Sequence, residues 1–297
     1  MSRAARLPAV LLAGLLAAGC GPDRPVETAE QAAAAVAAAY PATVDAGTAR
    51  VGVRVEMTAE VGAGQERAEL TGDGWFDFAG RASRTELTTP LGLRIEVRTV
   101  GVHFYELAPP QLRRRFPGSR PWLHVDFEAA DEAQYGTPLY LFRAGAPDDP
   151  WQLLGALPAA SGVRAVDRPT LADGTGSRHY SATLRMADVA ALGGARTGPG
   201  RRRFQARVGV DEVPLELWLD DAGRIRQLVA TVPVRLSGAD WTGTDEVVRG
   251  TATATLTFAD FGAPVRVTAP AAAQTDDLTP LVARRGLAAM SEIVGAV

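Results

Sequence analysis

The chain has 297 residues, enough for one large domain or two small ones. Its 34 acidic and 31 basic side chains give a formal net charge of −3, which excludes a general electrostatic attraction to nucleic acid. The single Cys excludes a disulfide within the chain.

The first twenty residues are organised like an export signal. Arg3 and Arg6 form a short basic region, and the apolar run 7–18 has signal-peptide length but is too short to span a membrane. The sequence L-A-A-G-C that ends at Cys20 resembles a bacterial lipobox, although Ala17 stands where Leu is usual. The resemblance implies that the Cys becomes the first mature residue and carries acyl chains, such as palmitate, on its thiol and amine.

Lipidation of Cys20 would define the N-terminal organisation of the protein. Residues 1–19 are then a cleaved lipoprotein signal peptide and residues 20–27 a short tether. Two acyl chains suffice for stable anchoring, so we expect the protein on the extracytoplasmic face of a cell membrane. The alternative is an ordinary secretory signal with an unrelated Cys, but a lone thiol at this place is better explained by lipidation.

The next elements are predicted as one helix and a series of strands. Thr28 and Gln31 have capping-box spacing, and the Ala-rich run 29–40 favours a helix over the alternative of a linker. Two long runs of alternating apolar and polar residues, 49–60 and 67–78, then predict a hairpin of half-buried strands. Shorter alternating runs follow at 82–88, 93–100 and 102–107.

The middle of the chain is less regular. Residues 109–121 are predicted as a loop, whose basic run at 113–115 is either solvated or in contact with anionic headgroups. Residues 131–144 are ambiguous, with helix favoured. A helix predicted over 149–157 carries an apolar stripe suited to covering a sheet face, formed by Leu153, Leu154 and Leu157.

The clearest pattern is the hairpin over 213–236. Apolar and polar residues alternate on both of its strands, and 220–223 supplies the turn, with Gly223 where a positive φ is expected. The hairpin is therefore antiparallel, with one apolar face and one polar face. Trp218 falls on the polar face of this hairpin, and Trp75 falls on the polar face of its own strand. Similar alternation occurs at 162–168, 177–185 and 249–258, and residues 278–297 are predicted as an amphipathic helix.

About ten such strands predict an α+β fold, a large curved antiparallel sheet with helices packed on its apolar, concave face. The inward residues are mostly small, so we expect unfilled volume there, with a fully packed core as the alternative. A register error of one residue would turn a strand's inward set outward. The apolar positions expected to line the volume are Val53, Val55, Phe76, Ile95, Leu153, Leu157, Leu217 and Val232.

This layout resembles the actinobacterial LppX/LprG group of lipoproteins, which are distantly related to LolA-like carriers. The resemblance extends from Glu27 to Thr268, whereas the tail and much of 109–144 match poorly. It implies a half-barrel domain over 28–270, followed by a tail over 271–297, that binds acylated lipid or glycolipid in an apolar cavity. It rests on the lipobox ending at Cys20, the Ala-rich helix, the strand 176–184, the P-L-E-L-W-L-D-D-A-G-R-I hairpin and the T-L-T-F-A-D-F-G-A-P-V exit.

Two functions therefore compete. The first is a membrane-anchored carrier that moves or presents lipid in the cell envelope, with a membrane transporter or other envelope protein as a candidate partner. The second is an accessory or regulatory lipoprotein of the same fold, with a filled core and a protein partner. An enzyme is disfavoured, because His103, His124 and His179 lack ligand-spaced neighbours and no G-x-S-x-G, H-E-x-x-H or phosphate loop is present. No metal, cofactor or nucleic acid is expected.

Overall fold

A computed structural model of the chain describes residues 27–61, 64–90, 92–101, 103–116, 118–126, 129, 152–188, 211–237 and 247–285. Cys20, the signal and tether up to residue 26, the stretch 131–144 and the tail beyond 285 lie outside these residues. None of the described helices is long and apolar enough to cross a membrane.

The described strands form one curved sheet. Twelve strands have the order β12-β6-β5-β4-β3-β2-β1-β11-β10-β9-β8-β7, and every neighbouring pair is antiparallel except β12 with β6. The α+β fold with a large curved antiparallel sheet, expected from the alternating pattern, is therefore confirmed. In chain order the strands are β1 (Thr48–Val61), β2 (Gly64–Asp77), β3 (Ala82–Thr88), β4 (Arg94–Val100), β5 (His103–Leu107), β6 (Trp122–Asp126), β7 (Ser161–Asp167), β8 (Arg178–Arg185), β9 (Glu212–Leu219), β10 (Ile225–Ser237), β11 (Val247–Ala259) and β12 (Thr275–Asp277).

Helix α1 (Ala29–Val44) begins at the predicted capping box. The Gln31 amide donates to Thr28 Oγ1 at 3.2 Å, and the Thr28 amide donates to Gln31 Oε1 at 2.9 Å. Its buried side is built of small residues, so the helix lies close against the sheet. The short helix α2 (Gln152–Gly155) and a 3-10 turn at Leu157–Ala159 complete the cover near α1, and α3 (Thr279–Arg285) lies against β6.

Glycines on the concave face of β2 allow the backbone of β3 to approach it closely. Gly72 and Gly74 occupy the inward positions opposite Val53 and Val51 of β1. A Cβ at Gly74 would lie 2.6 Å from the Cα of Thr85, and the carbonyl oxygen of Arg84 would be closer still. The backbone of β3 therefore fills the space that a side chain on β2 would need, and the sheet curls there.

The apolar core consists of two clusters on the same face of the sheet. The first core joins α1, α2 and the 3-10 turn to β7 through β11, β1 and the end of β2. The second core joins β5, β6, the loop after β5 and α3. The opposite, convex face carries ion pairs across the strands, such as Arg54–Glu69 at 2.8 Å and Arg84–Glu96 at 2.9 Å.

Candidate functional site

Between the two cores, the concave face of β1 to β4 carries apolar side chains that are only partly buried. Alternation along each strand gives them one common face, and antiparallel pairing brings them side by side. We call this surface the trough. Its residues are Val53, Met57, Leu70, Leu87 and Ile95.

Burial decreases along a single line of residues that crosses the sheet. The register aligns one inward residue from each of seven strands: Leu217, Leu228, Leu256, Val53, Gly72, Leu87 and Ile95. Leu217 is 0% exposed and Leu228 is 1% exposed, whereas Leu256 and the residues beyond it are partly exposed. Along this line the first core thus covers the positions on β9 and β10 and leaves those on β11 to β4 partly open.

The dimensions and chemistry of the trough suit a hydrocarbon. From β11 to β4 the line crosses four strand spacings, about 19 Å. Within that line every position is Leu, Val, Ile or Gly. The nearby inward hydroxyls of Ser83 and Thr99 are buried and bond to each other at 2.7 Å, so this part of the floor is neutral and internally satisfied.

The eight residues expected to line a cavity divide between the trough and the cores. Val53 and Ile95 lie in the trough. Val55 is buried on the same face, and the side chain of Leu153 lies outside the described residues. Four others belong to the first core: Phe76, Leu157, Leu217 and Val232. Contact of any of them with a ligand stays a prediction. Alternation had also placed Leu70 and Met57 inward, but only the register shows that they border the open part.

The histidines lie on the convex face and fasten strands together. His179 on β8 contacts Asp167 of β7 at 2.8 Å and Glu216 of β9 at 2.7 Å, and its ring stacks on Trp218 at 4.2 Å. His124 contacts His103 at 3.2 Å and Asp277 of β12 at 3.2 Å. Within the described part of the chain, no group of three or more His, Cys, Asp or Glu side chains is arranged to hold a metal ion.

A buried tyrosine fixes the point where the chain joins the domain. Tyr180 of β8 is fully buried on the concave face, and its hydroxyl donates to the carboxylate of Glu27 at 2.9 Å. Burial, together with the bond to Glu27, raises the pKa of Tyr180 to about 12. The residues just before α1 are thereby held against β8.

The Tyr180→Phe variant tests this contact through its pH dependence. An unfolded tyrosine titrates near pH 10. The stabilisation that comes from the raised pKa of Tyr180 is therefore full below pH 10 and is lost as the pH rises toward about 12. Subtracting the absorbance titration of the variant from that of the wild type isolates Tyr180, and we expect this difference to titrate near pH 12. We also expect the free energy of unfolding to fall less steeply with pH in the variant than in the wild type over this range. An absorbance difference between wild type and variant that titrates near pH 10 would contradict the buried contact.

No family model matches the chain, and no curated protein matches it. Similar solved structures include the lipoprotein LppX of Mycobacterium tuberculosis, with 14% identity, coverage of 79% of this chain and 99% of that chain, and a TM-score of 0.41. A putative outer membrane lipoprotein-sorting protein domain from Vibrio parahaemolyticus has 7% identity, coverage of 80% and 95%, and a TM-score of 0.30. A LolA superfamily protein from Nitrosomonas europaea has 9% identity, coverage of 78% and 92%, and a TM-score of 0.29.

Proposed function

We propose that the protein is a membrane-anchored envelope lipoprotein that binds the acyl chains of a lipid or glycolipid in the trough and carries or presents that lipid. The observation that supports this best is a partly open apolar surface between two packed cores, whose five residues carry no charge. Cys20 is the proposed anchor, and its acyl chains hold the domain at the membrane.

The hydrophobic effect alone provides enough free energy for this binding. Each buried methylene contributes about 0.8 kcal/mol, so a long chain is held without a charged contact. The side chains of the trough also lose water when a chain covers them. Such a site recognises acyl length and shape, and it needs no catalytic group, metal or cofactor.

The direct experiment uses the mature chain with Cys20→Ser, which removes the anchor and keeps the domain. We expect mass spectrometry of its organic extract to show an acyl lipid, and we expect the protein to take up a fluorescent fatty acid. Repeated extracts without lipid, combined with no uptake, would favour the accessory lipoprotein with a filled core.

A pair of neighbouring substitutions on β3 tests the trough itself. Leu87 is partly buried on the concave face, whereas Thr88 is exposed on the other face. Leu87→Glu places a carboxylate where the acyl chain lies, and its desolvation opposes binding. We expect fatty-acid affinity to fall at least about tenfold in Leu87→Glu and to stay near wild type in Thr88→Glu.

Both variants add one negative charge to the same strand, so Thr88→Glu controls for charge and for strand propensity. Fluorescence titration with the fatty acid gives the affinities, and circular dichroism shows that both variants fold. Equal fatty-acid affinities of the two variants would contradict the trough as the binding surface.

A further inference from the structure

The edge strand β7 exposes an apolar residue between two arginines. All five residues from Arg164 to Arg168 are exposed, so both faces and the outer edge of this stretch meet solvent. Val166 is 52% exposed and is the one large hydrophobic side chain that is exposed in the described part of the chain. In contact with a membrane interface, arginines of this kind would meet anionic headgroups and the apolar residue would enter the layer below them.

The chain joins the domain beside this edge. Glu27 is held by Tyr180 on β8, the strand that pairs with β7, and α1 packs against β7 from there. Arg168 and Arg178 lie close enough to Tyr180 to oppose the rise of its pKa. The β7 edge and the start of the described chain are therefore neighbours.

The length of the tether limits how far this edge can lie from the anchor. Cys20 and Glu27 are seven positions apart, and seven residues span at most about 25 Å when fully extended. The opposite edge of the twelve-stranded sheet is eleven strand spacings from β7, about 50 Å along the sheet. An acylated Cys20 therefore holds Glu27, and the β7 strand beside it, within about 25 Å of the bilayer, whereas it sets no such limit on the β12 edge.

The acidic side chains of this region bond to partners within the protein, whereas, in the described part of the chain, two of its arginines do not. Asp167 bonds to His179 at 2.8 Å, Glu27 accepts from Tyr180, and Asp173 pairs with Arg226. Arg164 and Arg168 are in no ion pair within the described residues. Asp167 and Glu27 keep their negative charge, but these two arginines are the groups available to an external partner, and they favour an anionic one.

We propose that the β7 edge, defined as Arg164, Val166 and Arg168, is the surface that contacts the membrane, with the arginines at anionic lipid headgroups and Val166 in the interfacial layer. This proposal rests on the anchor at Cys20 that belongs to the proposed function. Contact at this edge holds the sheet within reach of the lipids that the trough would bind.

Vesicle binding of the mature chain with Cys20→Ser tests the proposal. We expect it to cosediment with vesicles of phosphatidylcholine and phosphatidylglycerol, and not with phosphatidylcholine alone, in a manner that weakens with added salt. Replacing Arg164 and Arg168 by Gln should lower the partition coefficient about thirtyfold. Val166→Ser should lower it further.

The matched control replaces Arg67 and Arg249 by Gln. Both are exposed arginines, on β2 and β11, which are six and four strands away from β7 in the sheet. The control removes the same charge and should bind vesicles nearly as well as the Cys20→Ser parent. An equal loss in the control, or no preference of the parent for anionic vesicles, would overturn the proposal.

Fatty-acid uptake in solution separates this proposal from the proposed function. We expect the β7 edge variants to take up fatty acid normally. Vesicle binding without fatty-acid uptake would contradict the proposed carrier function and support the membrane-contacting surface. Fatty-acid uptake without selective vesicle binding would support the carrier function and contradict the membrane-contacting surface.

Discussion

The Gly74→Ala variant is expected to be less stable than the wild type by about 3 kcal/mol and to bind fatty acid more weakly. The added methyl group would lie 2.6 Å from the Cα of Thr85 and closer to the Arg84 carbonyl oxygen. Because these are backbone atoms, no side-chain rotation relieves the overlap, and β2 must move away from β3. The curl of the sheet at this point, which shapes the trough, would then decrease.

Gly176→Ala is the control for this substitution. A Cβ at Gly176 meets no atom within 4 Å, so only the general effect of replacing Gly by Ala remains. Urea denaturation gives both stabilities, and a fluorescent fatty acid gives both affinities. Wild-type values for Gly74→Ala would show that close approach of β3 does not set the curvature.

The Asp276→Ala variant is expected to lose about 2–4 kcal/mol of stability. Asp276 is 7% exposed, and its carboxylate accepts from the amides of Gly118 at 3.1 Å and Arg120 at 3.0 Å. The guanidinium Nε of Arg120 lies 3.6 Å away. Removing the carboxylate leaves two backbone donors without their acceptor, which costs more than the bonds themselves contribute. The guanidinium of Arg120 keeps its bonds to the carbonyls of Ala272 and Thr275.

Asp73→Ala provides the comparison, because Asp73 has a side chain 69% exposed and pairs with Arg50 at only 3.8 Å. A surface pair of this kind contributes little, and we expect a change below about 0.5 kcal/mol. Hydrogen exchange should also show faster exchange of β12 and α3 in Asp276→Ala alone. Similar costs in the two variants would mean that Asp276 does not hold the C-terminal segment.

The sequence predicts those parts of the fold that depend on local periodicity. Alternation placed the hairpin of β9 and β10 correctly, and Gly223 has the expected positive φ, 79°. It missed β12, because T-D-D has no alternation and pairs with the distant β6. It also gave no sign that Asp276 is buried, because aspartate is usually exposed and its partners lie more than 150 positions away.

The candidate site, too, was predictable only in the part that depends on local periodicity. Alternation tells which face a residue occupies but not how deeply it is covered. Leu217 and Val53 share the inward face and one line across the sheet, yet α1 and its neighbours bury the first and leave the second partly open. How deeply a side chain is buried depends on which helix crosses its strand. That depends on long-range packing, which the periodicity of the sequence does not reveal.

Because two separate cores lie on one continuous sheet, any flexing of one half against the other would occur at the strands between them, which would act as a joint. A hydrocarbon tail lodged over this joint would touch both halves at once. The free energy that retains the tail would then also resist flexing of the joint. Under the proposed function, loading and stiffening would then be a single event, and a receptor that separates the two halves would release the tail without competing for it.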